Sequence, residues 1–370
     1  MTTSDRTPSP SSPPTAEASA RRSLSRRPAS PTRPRRNINR HREGPDNHYT
    51  HDDASPSEAW VITGPTSGIG HRTALELAKH GTVVLVGRDP NKLSTVQAEI
   101  EAQPAGHAVS VVGDFSDIES ARRAAAEIVA LDLPIAGVLN NAGIMTNRAA
   151  RTAQGFDLTF ATNHLGPFAF TEALIPHLPD GTNVVFVASA VEDPERKPAV
   201  AAGFRGGRYI SAEASAHGEW APGGSSKPGY DAYATSKQAD LATVLTLARD
   251  IPRLRFNAVE PGFNPGTGLG RDANVAVRFL AKYVLSPLAP FTKYWSTPKR
   301  AARVITEVLT AKSDRTGVYY DETDKPMTGS AQVRDPAFAD RVVAETRDLL
   351  ATVPIDPAPT DHQPTENAGT

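Results

Sequence analysis

Tyr233 and Lys237 stand four residues apart in Tyr-Ala-Thr-Ser-Lys, a spacing that puts both side chains on one face of a helix. A free phenol has a pKa of about 10, too high for a good acid or base near neutrality. An ammonium beside it favours the ionised form, so Lys237 is expected to bring the phenol down. Upstream runs Thr63-Gly64-Pro65-Thr66-Ser67-Gly68-Ile69-Gly70. Gly64 and Gly68 let a backbone come close to a pyrophosphate, and Gly70 lets a helix pack on a sheet. The helix start, with Ser67 and Ile69 in the same turn, offers N–H groups to the anion. A phosphate cradle followed by a tuned phenol points to hydride chemistry on a nicotinamide. The bland alternatives are a core tyrosine, a surface lysine and a purely structural turn.

After the next apolar run the chain reads Val86-Gly87-Arg88. An acid there would grip the ribose 2′-hydroxyl of NAD, whereas an arginine suits the extra phosphate of NADP. Arg88, with Arg72 as support, favours NADP(H) over NAD(H).

These residues need elements to position them. Apolar runs at 59–63, 82–86, 108–112, 135–140, 183–188 and 255–259 read as strands, and helical patterns fall at 68–80, 91–103, 116–131, 156–178 and 231–249. Short continuous apolar strands between amphipathic helices imply a parallel sheet buried on both faces. Right-handed crossovers then give an α/β fold of the Rossmann type, a doubly wound parallel sheet in a three-layer αβα sandwich. One domain over residues 56–352 suffices.

Two stretches break the rhythm. Residues 191–229, rich in Gly, Pro and Ser, are too long for a simple connection and form a candidate lid before Tyr233. Residues 270–296 carry an apolar segment, Val275 to Phe291, interrupted by Pro287, Pro290, Arg278 and Lys282. It is too short to span a bilayer. It reads as a substrate-covering segment, with core packing and a weak membrane-surface contact as the alternatives.

The 370 residues contain no cysteine, which excludes disulfides, thiolate metal sites and cysteine nucleophiles. The ten histidines form no His-Glu-x-x-His pattern, so no metal site is expected. Of 40 basic and 41 acidic residues, the first 50 positions hold ten arginines and four acids, leaving 30 against 37 for the rest. A mildly acidic body argues against nucleic acid as a partner. Residues 1–55, rich in Ser, Pro and Arg, and residues 353–370 are expected to be disordered tails. No apolar stretch follows Ser25-Arg26-Arg27, so a cytoplasmic location is expected.

Taken together, the Thr63–Gly70 turn, Asp114, Asn140-Asn141-Ala142-Gly143, Asn163, Ser189 and the Tyr233/Lys237 pair resemble the short-chain dehydrogenase/reductase superfamily, in order and approximate spacing over residues 58 to about 265. The resemblance implies roles residue by residue. Tyr233 would be the proton donor and acceptor, Ser189 would hold the substrate oxygen, and Lys237 would bind the nicotinamide ribose. Asn163 would anchor a relay water. Asp114 with Phe115 would contact adenine, and Asn141, Ala142 and Gly143 would lie along the cofactor. Pro261-Gly262 would shape the nicotinamide pocket. The usual threonine five residues after that proline is absent: Gly266 stands there, and Thr267 is the substitute for the carboxamide contact.

Arg88, Phe160 to Gly166 and the stretch from Gly317 to Leu350 are similar to the retinol-dehydrogenase-like branch, while the long insertion and Thr267-Gly268-Leu269 are similar to protochlorophyllide reductase. The implied activity is NADP(H)-dependent interconversion of a carbonyl and an alcohol on a fairly apolar small molecule. A C=C reductase and a catalytically silent dinucleotide sensor are the alternatives. The family often pairs through its long helices, so a homodimer or homotetramer is implied if the helix of Tyr233 leaves an apolar face open.

Overall fold

The run Ala-Trp-Val-Ile-Thr forms β1 (Ala59–Thr63), and every one of its residues is buried. Its neighbours divide between two cores. In the computed structural model, which describes residues 58–262 and 296–354, Val61 lies in one apolar cluster with Val84, Val138 and Val184. Trp60 and Ile62 lie in the other with Val83, Leu85 and Val185. Alternate strand residues point to opposite faces, so a run apolar at every position must be covered twice.

The sheet consists of β1, β2 (Thr82–Gly87), β3 (Ala108–Val112), β4 (Ile135–Asn140), β5 (Asn183–Val187), β6 (Arg255–Val259), β7 (Val318–Tyr320) and β8 (Pro326–Met327), in the order β3-β2-β1-β4-β5-β6-β7-β8. Val61 pairs with Val84 on one side and Val138 on the other. Pairing is parallel through β7, and β8 closes the edge antiparallel. The strand order reverses between β1 and β4, and ligands of such sheets bind outside the carboxyl ends of strands at that point.

Helices α1 (Gly68–Leu77), α2 (Pro90–Glu101) and α9 (Pro298–Thr310) contribute to the cluster of Trp60 and Ile62. The opposite face is covered by α3 (Ile118–Ala130), α5 (Gly166–Leu174), α8 (Tyr230–Asp250) and α10 (Pro336–Ala351). Helix α10 packs along α8, and Asp340 accepts a hydrogen bond from Thr246 at 2.9 Å. From Ala232 to Ala248 nearly every residue of α8 is buried. The apolar face on which pairing would rest is therefore occupied by the chain's own α10.

Two expectations are revised. The single helix read over 156–178 is broken into α4 (Leu158–Phe160), a π-turn over Ala161–Leu165, α5 and a 3₁₀ turn over Ile175–His177. A π-turn inserts one residue into the helical ladder and shifts the side chains within it; here those are Asn163 and His164. The stretch 191–229, the candidate lid, carries α6 (Lys197–Ala202) and α7 (Ala212–Ala216). Its second part is tied down: Arg208 N–H donates to Thr235 Oγ1 (2.8 Å), Tyr209 to Glu345 (2.7 Å), and Ala212 N–H to the same carboxylate (3.0 Å). At the C-terminus Val353 is buried, and its carbonyl accepts from Arg122 at 3.3 Å, so order extends past residue 352. Thr267, the segment 270–296 bar its last residue, and both tails beyond these limits lie outside the described residues.

Candidate active site

The glycine turn connects β1 to α1. Gly64 has φ +67°, and a Cβ there would lie 3.0 Å from the Cα of Ala142. A Cβ on Gly70 would lie 2.3 Å from the Gly64 carbonyl oxygen, so only glycine allows the helix to start this close to the turn. Helices α2, α3 and α10 open with Asp89, Asp117 and Asp335 accepting from their first N–H groups. Helix α1 has neither a side-chain cap nor an acid in its first turn. An uncapped helix start at the reversal point of a parallel sheet suits an anionic pyrophosphate, so these residues fit a dinucleotide.

Asn141 staples this cradle to the loop after β4. Its side-chain amide donates to the carbonyls of Thr63 (2.9 Å) and Gly64 (3.2 Å), while the N–H groups of Asn141 and Ala142 both donate to Thr63 Oγ1 at 2.9 Å. Gly143 is exposed beside it. Arg88 is exposed at the end of β2 and makes no ion pair with a described residue. An open cleft of about 190 Å³ lined by Thr66, Ser67, His71, Lys92 and Glu99, the last paired with His71, lies between α1 and α2. Asp114 Oδ1 accepts from Ser116 N–H (2.9 Å) and Oγ (2.7 Å). The Phe115 ring is in the core, edge-on to Phe170 at 5.3 Å, which leaves only its main chain for adenine.

Tyr233 and Lys237 lie on α8 as the spacing requires. Tyr233 is 9% exposed, and the Ser189 hydroxyl lies near enough to the phenol to act on it in the lowering direction. The Lys237 Nζ stands 6.0 Å from the centre of its ring. That ammonium donates to the Val187 carbonyl at 2.8 Å and to Asp240 Oδ2 at 3.0 Å. The expected lowering of the phenol is not found. Burial pushes Tyr233 well above the ordinary range and the Glu260 carboxylate adds to this; the Ser189 hydroxyl acts in the lowering direction, and Asp240 raises it further. Spacing alone could not reveal that Lys237 has a buried counter-ion of its own.

Asn163 is buried in the π-turn. Its Oδ1 accepts from Ile144 N–H (2.8 Å), and its amide donates to the Ile144 carbonyl (2.9 Å) and to Ser236 Oγ (3.1 Å). With both amide hydrogens used, Asn163 holds the β4 loop against α8, and one lone pair of Oδ1 or its main chain is left for a water.

Three acids close to these residues carry no motif and escaped notice in the sequence: Asp240, Glu260 and Glu192. Their only signal is position, three residues after Lys237, directly before Pro261-Gly262, and three residues after Ser189. Glu260 accepts from Ala190 N–H and, at 3.1 Å, from Gly262 N–H, so one carboxylate ties the serine turn to the Pro-Gly turn. Its carboxyl is raised by burial.

Glu192 is fully buried. Oε1 accepts from Ser330 N–H at 2.8 Å, and Oε2 has no partner among the described residues. Burial pushes its carboxyl from 4.5 up to about 7. A raised carboxyl binds its proton more tightly folded than unfolded, so the stability it contributes is full below about pH 4.5 and is lost as pH climbs to about 7. At about 1.36 kcal/mol per unit, that loss is about 3 kcal/mol. Glu192→Gln should flatten this slope in thermal melts between pH 4.5 and 7.5; an undiminished slope in the variant would contradict the assignment.

A family model for short chain dehydrogenase matches residues 58–200. Retinol dehydrogenase 13 of Homo sapiens is 28% identical over 306 residues, which span 80% of this chain and 85% of that protein. Polyprenol dehydrogenase of Mus musculus is 35% identical over 143 residues, 36% of this chain and 43% of that protein. A short chain dehydrogenase from Burkholderia cenocepacia J2315, solved in complex with NADP, shares the fold at a TM-score of 0.53 and 21% identity, covering 72% of this chain and 96% of that one. Glycine turn, reversal point and Tyr-Lys helix agree with these matches: residues 58–200 match the short chain dehydrogenase family, and over most of its length the chain is similar to oxidoreductases of that superfamily, a retinol dehydrogenase among them.

Proposed function

We propose that this chain is an NADP(H)-preferring enzyme that interconverts a carbonyl and an alcohol on a fairly apolar small molecule. The observation that carries this reading is the convergence of Ser189, Tyr233 and Lys237 at the carboxyl end of β5, alongside the uncapped start of α1. The bound dinucleotide would supply the hydride. Ser189 would hold the substrate oxygen, and Tyr233 would deliver its proton to that oxygen so that charge does not accumulate there. A buried phenol held above its ordinary range stays protonated at neutral pH, which suits it to act as the acid of carbonyl reduction. Lys237 would bind the nicotinamide ribose through the hydrogen not used by Val187 and Asp240.

The apolar character of the substrate is supported by the surroundings of Tyr233. It clusters with Ala199, Phe204 and Ala234, flanked by Met145, Val191 and Tyr230. Phe204 stacks on Tyr230 with centroids 4.2 Å apart. Phe204 from the insertion and Tyr230 from the start of α8 thus form an aromatic wall beside the phenol. NADP is supported by exposed Arg88 and by Lys92 in the neighbouring cleft; the NADP held by the Burkholderia cenocepacia protein is in keeping with it.

A fluorescence titration with NADPH and NADH, followed by an apolar ketone and aldehyde panel, tests this reading. Tighter NADPH binding with turnover of apolar carbonyls is the expected result. Binding without turnover of any carbonyl would favour a sensor, and turnover confined to small polar sugars would remove the apolar assignment.

A further inference from the structure

Lys237 is 5% exposed and Asp240 1% exposed, and their contact at 3.0 Å is an ion pair withdrawn from water. The other carboxylate oxygen, Oδ1, lies 3.3 Å from His164 Nδ1 in the π-turn. The far nitrogen of that ring lies 3.1 Å from Thr346 Oγ1 on α10. A single carboxylate therefore links the lysine of α8, the displaced histidine of the π-turn and the C-terminal helix. On the assumption that Tyr233 and Lys237 are the reacting pair, as proposed above, we infer that Asp240 is a positioning residue that anchors the Lys237 ammonium and retains the proton of the Tyr233–Lys237 pair.

The charged and titratable groups around the pair come from several elements. Tyr233 and Asp240 are on α8 itself, and His164 faces it from the π-turn. Glu260 acts on Tyr233 from the end of β6, and Glu192, in the turn after β5, faces Glu260 behind it. Tyr319 of β7 is bonded to Glu260. On α10, Asp340 and Glu345 are engaged by Thr246 and Tyr209. Among the described residues, Lys237 is the one lysine or arginine bonded to Asp240, which His164 meets on its other oxygen. Coupled groups titrate as a unit, so removing a buried negative charge lowers the pH at which the pair gives up its first proton, whichever member loses it. Asp240 also acts on Tyr233 in the raising direction. An anionic dinucleotide binds less tightly to a site that has lost a unit of positive charge.

The test is the pH dependence of the NADPH dissociation constant, read by fluorescence, in wild type, Asp240→Asn and Asp240→Glu. Wild type and Asp240→Glu should stay flat from about pH 6.5 to 9.5, whereas Asp240→Asn should weaken at least tenfold across that range, about one decade per pH unit above its onset. Tyrosinate absorbance at 295 nm and lysine ε-carbon NMR, without cofactor, show which group deprotonates. Should Asp240→Asn not fold, Asp240→Ser leaves room for water at the ammonium and carries the same comparison. A flat profile in both neutral variants, together with unshifted tyrosine and lysine signals, would overturn the inference and leave a structural ion pair. If wild type fails to bind NADPH, the proposed function falls on its own, while the cofactor-free titrations still decide the role of Asp240.

Discussion

Tyr233→Phe should lower carbonyl reduction by about 10²–10⁴-fold, the usual worth of a positioned general acid, while NADPH binds within about threefold of wild type. The substitution removes one oxygen and leaves the ring, which keeps its packing against Phe204 and its neighbours. Because the proton donor is lost and the cradle at α1 is not, the effect should fall on kcat far more than on KM. Steady-state kinetics with a binding titration check this. Loss of NADPH binding in the variant would mean that Tyr233 belongs to the cofactor site rather than to the proton transfer.

Arg88→Asp should weaken NADPH by about 10²-fold and leave NADH within about threefold. A charge-assisted bond from a guanidinium to a phosphate is worth about 1.5–3 kcal/mol, and a carboxylate in its place adds repulsion. Each 1.4 kcal/mol is about a tenfold change in binding. Arg88 is exposed and in no ion pair with a described residue, so its removal should cost little stability. Melting temperature and the two dissociation constants measured together would separate a local effect from unfolding. An unchanged NADPH-to-NADH ratio would take Arg88 out of the site.

Period and composition carried six of the eight strands; β7 and β8, three and two residues long, are too short to show a pattern. Strands β1, β3, β4 and β6 have the bounds read from the sequence; in β1 the run Trp-Val-Ile leaves no polar face for any other arrangement. The π-turn was not legible: what breaks the helix is the bond network of Asn163 with Ile144 and Ser236, residues 19 and 73 positions away. Nothing in a 3.6-residue pattern announces such a partner. The same limit applies to the site. Motif spacing placed Tyr233 and Lys237 on one face, and the structure keeps them together. The electrostatics came out with the opposite sign for the phenol, because burial, Glu260 and Asp240 are tertiary facts. Burial of α8 under α10 is likewise a long-range event, and it occupies the face through which pairing was anticipated.

Hydride transfer from the dinucleotide to the carbonyl carbon can be followed isotopically. An apolar ketone is reduced with NADPH carrying deuterium at the transferring face of nicotinamide C4, in ordinary water, and the product alcohol is weighed by mass spectrometry. One deuterium on the former carbonyl carbon, with none exchanged with solvent, is the expected result. A product without the label, or one whose new carbon-bound hydrogen comes from water, would contradict it.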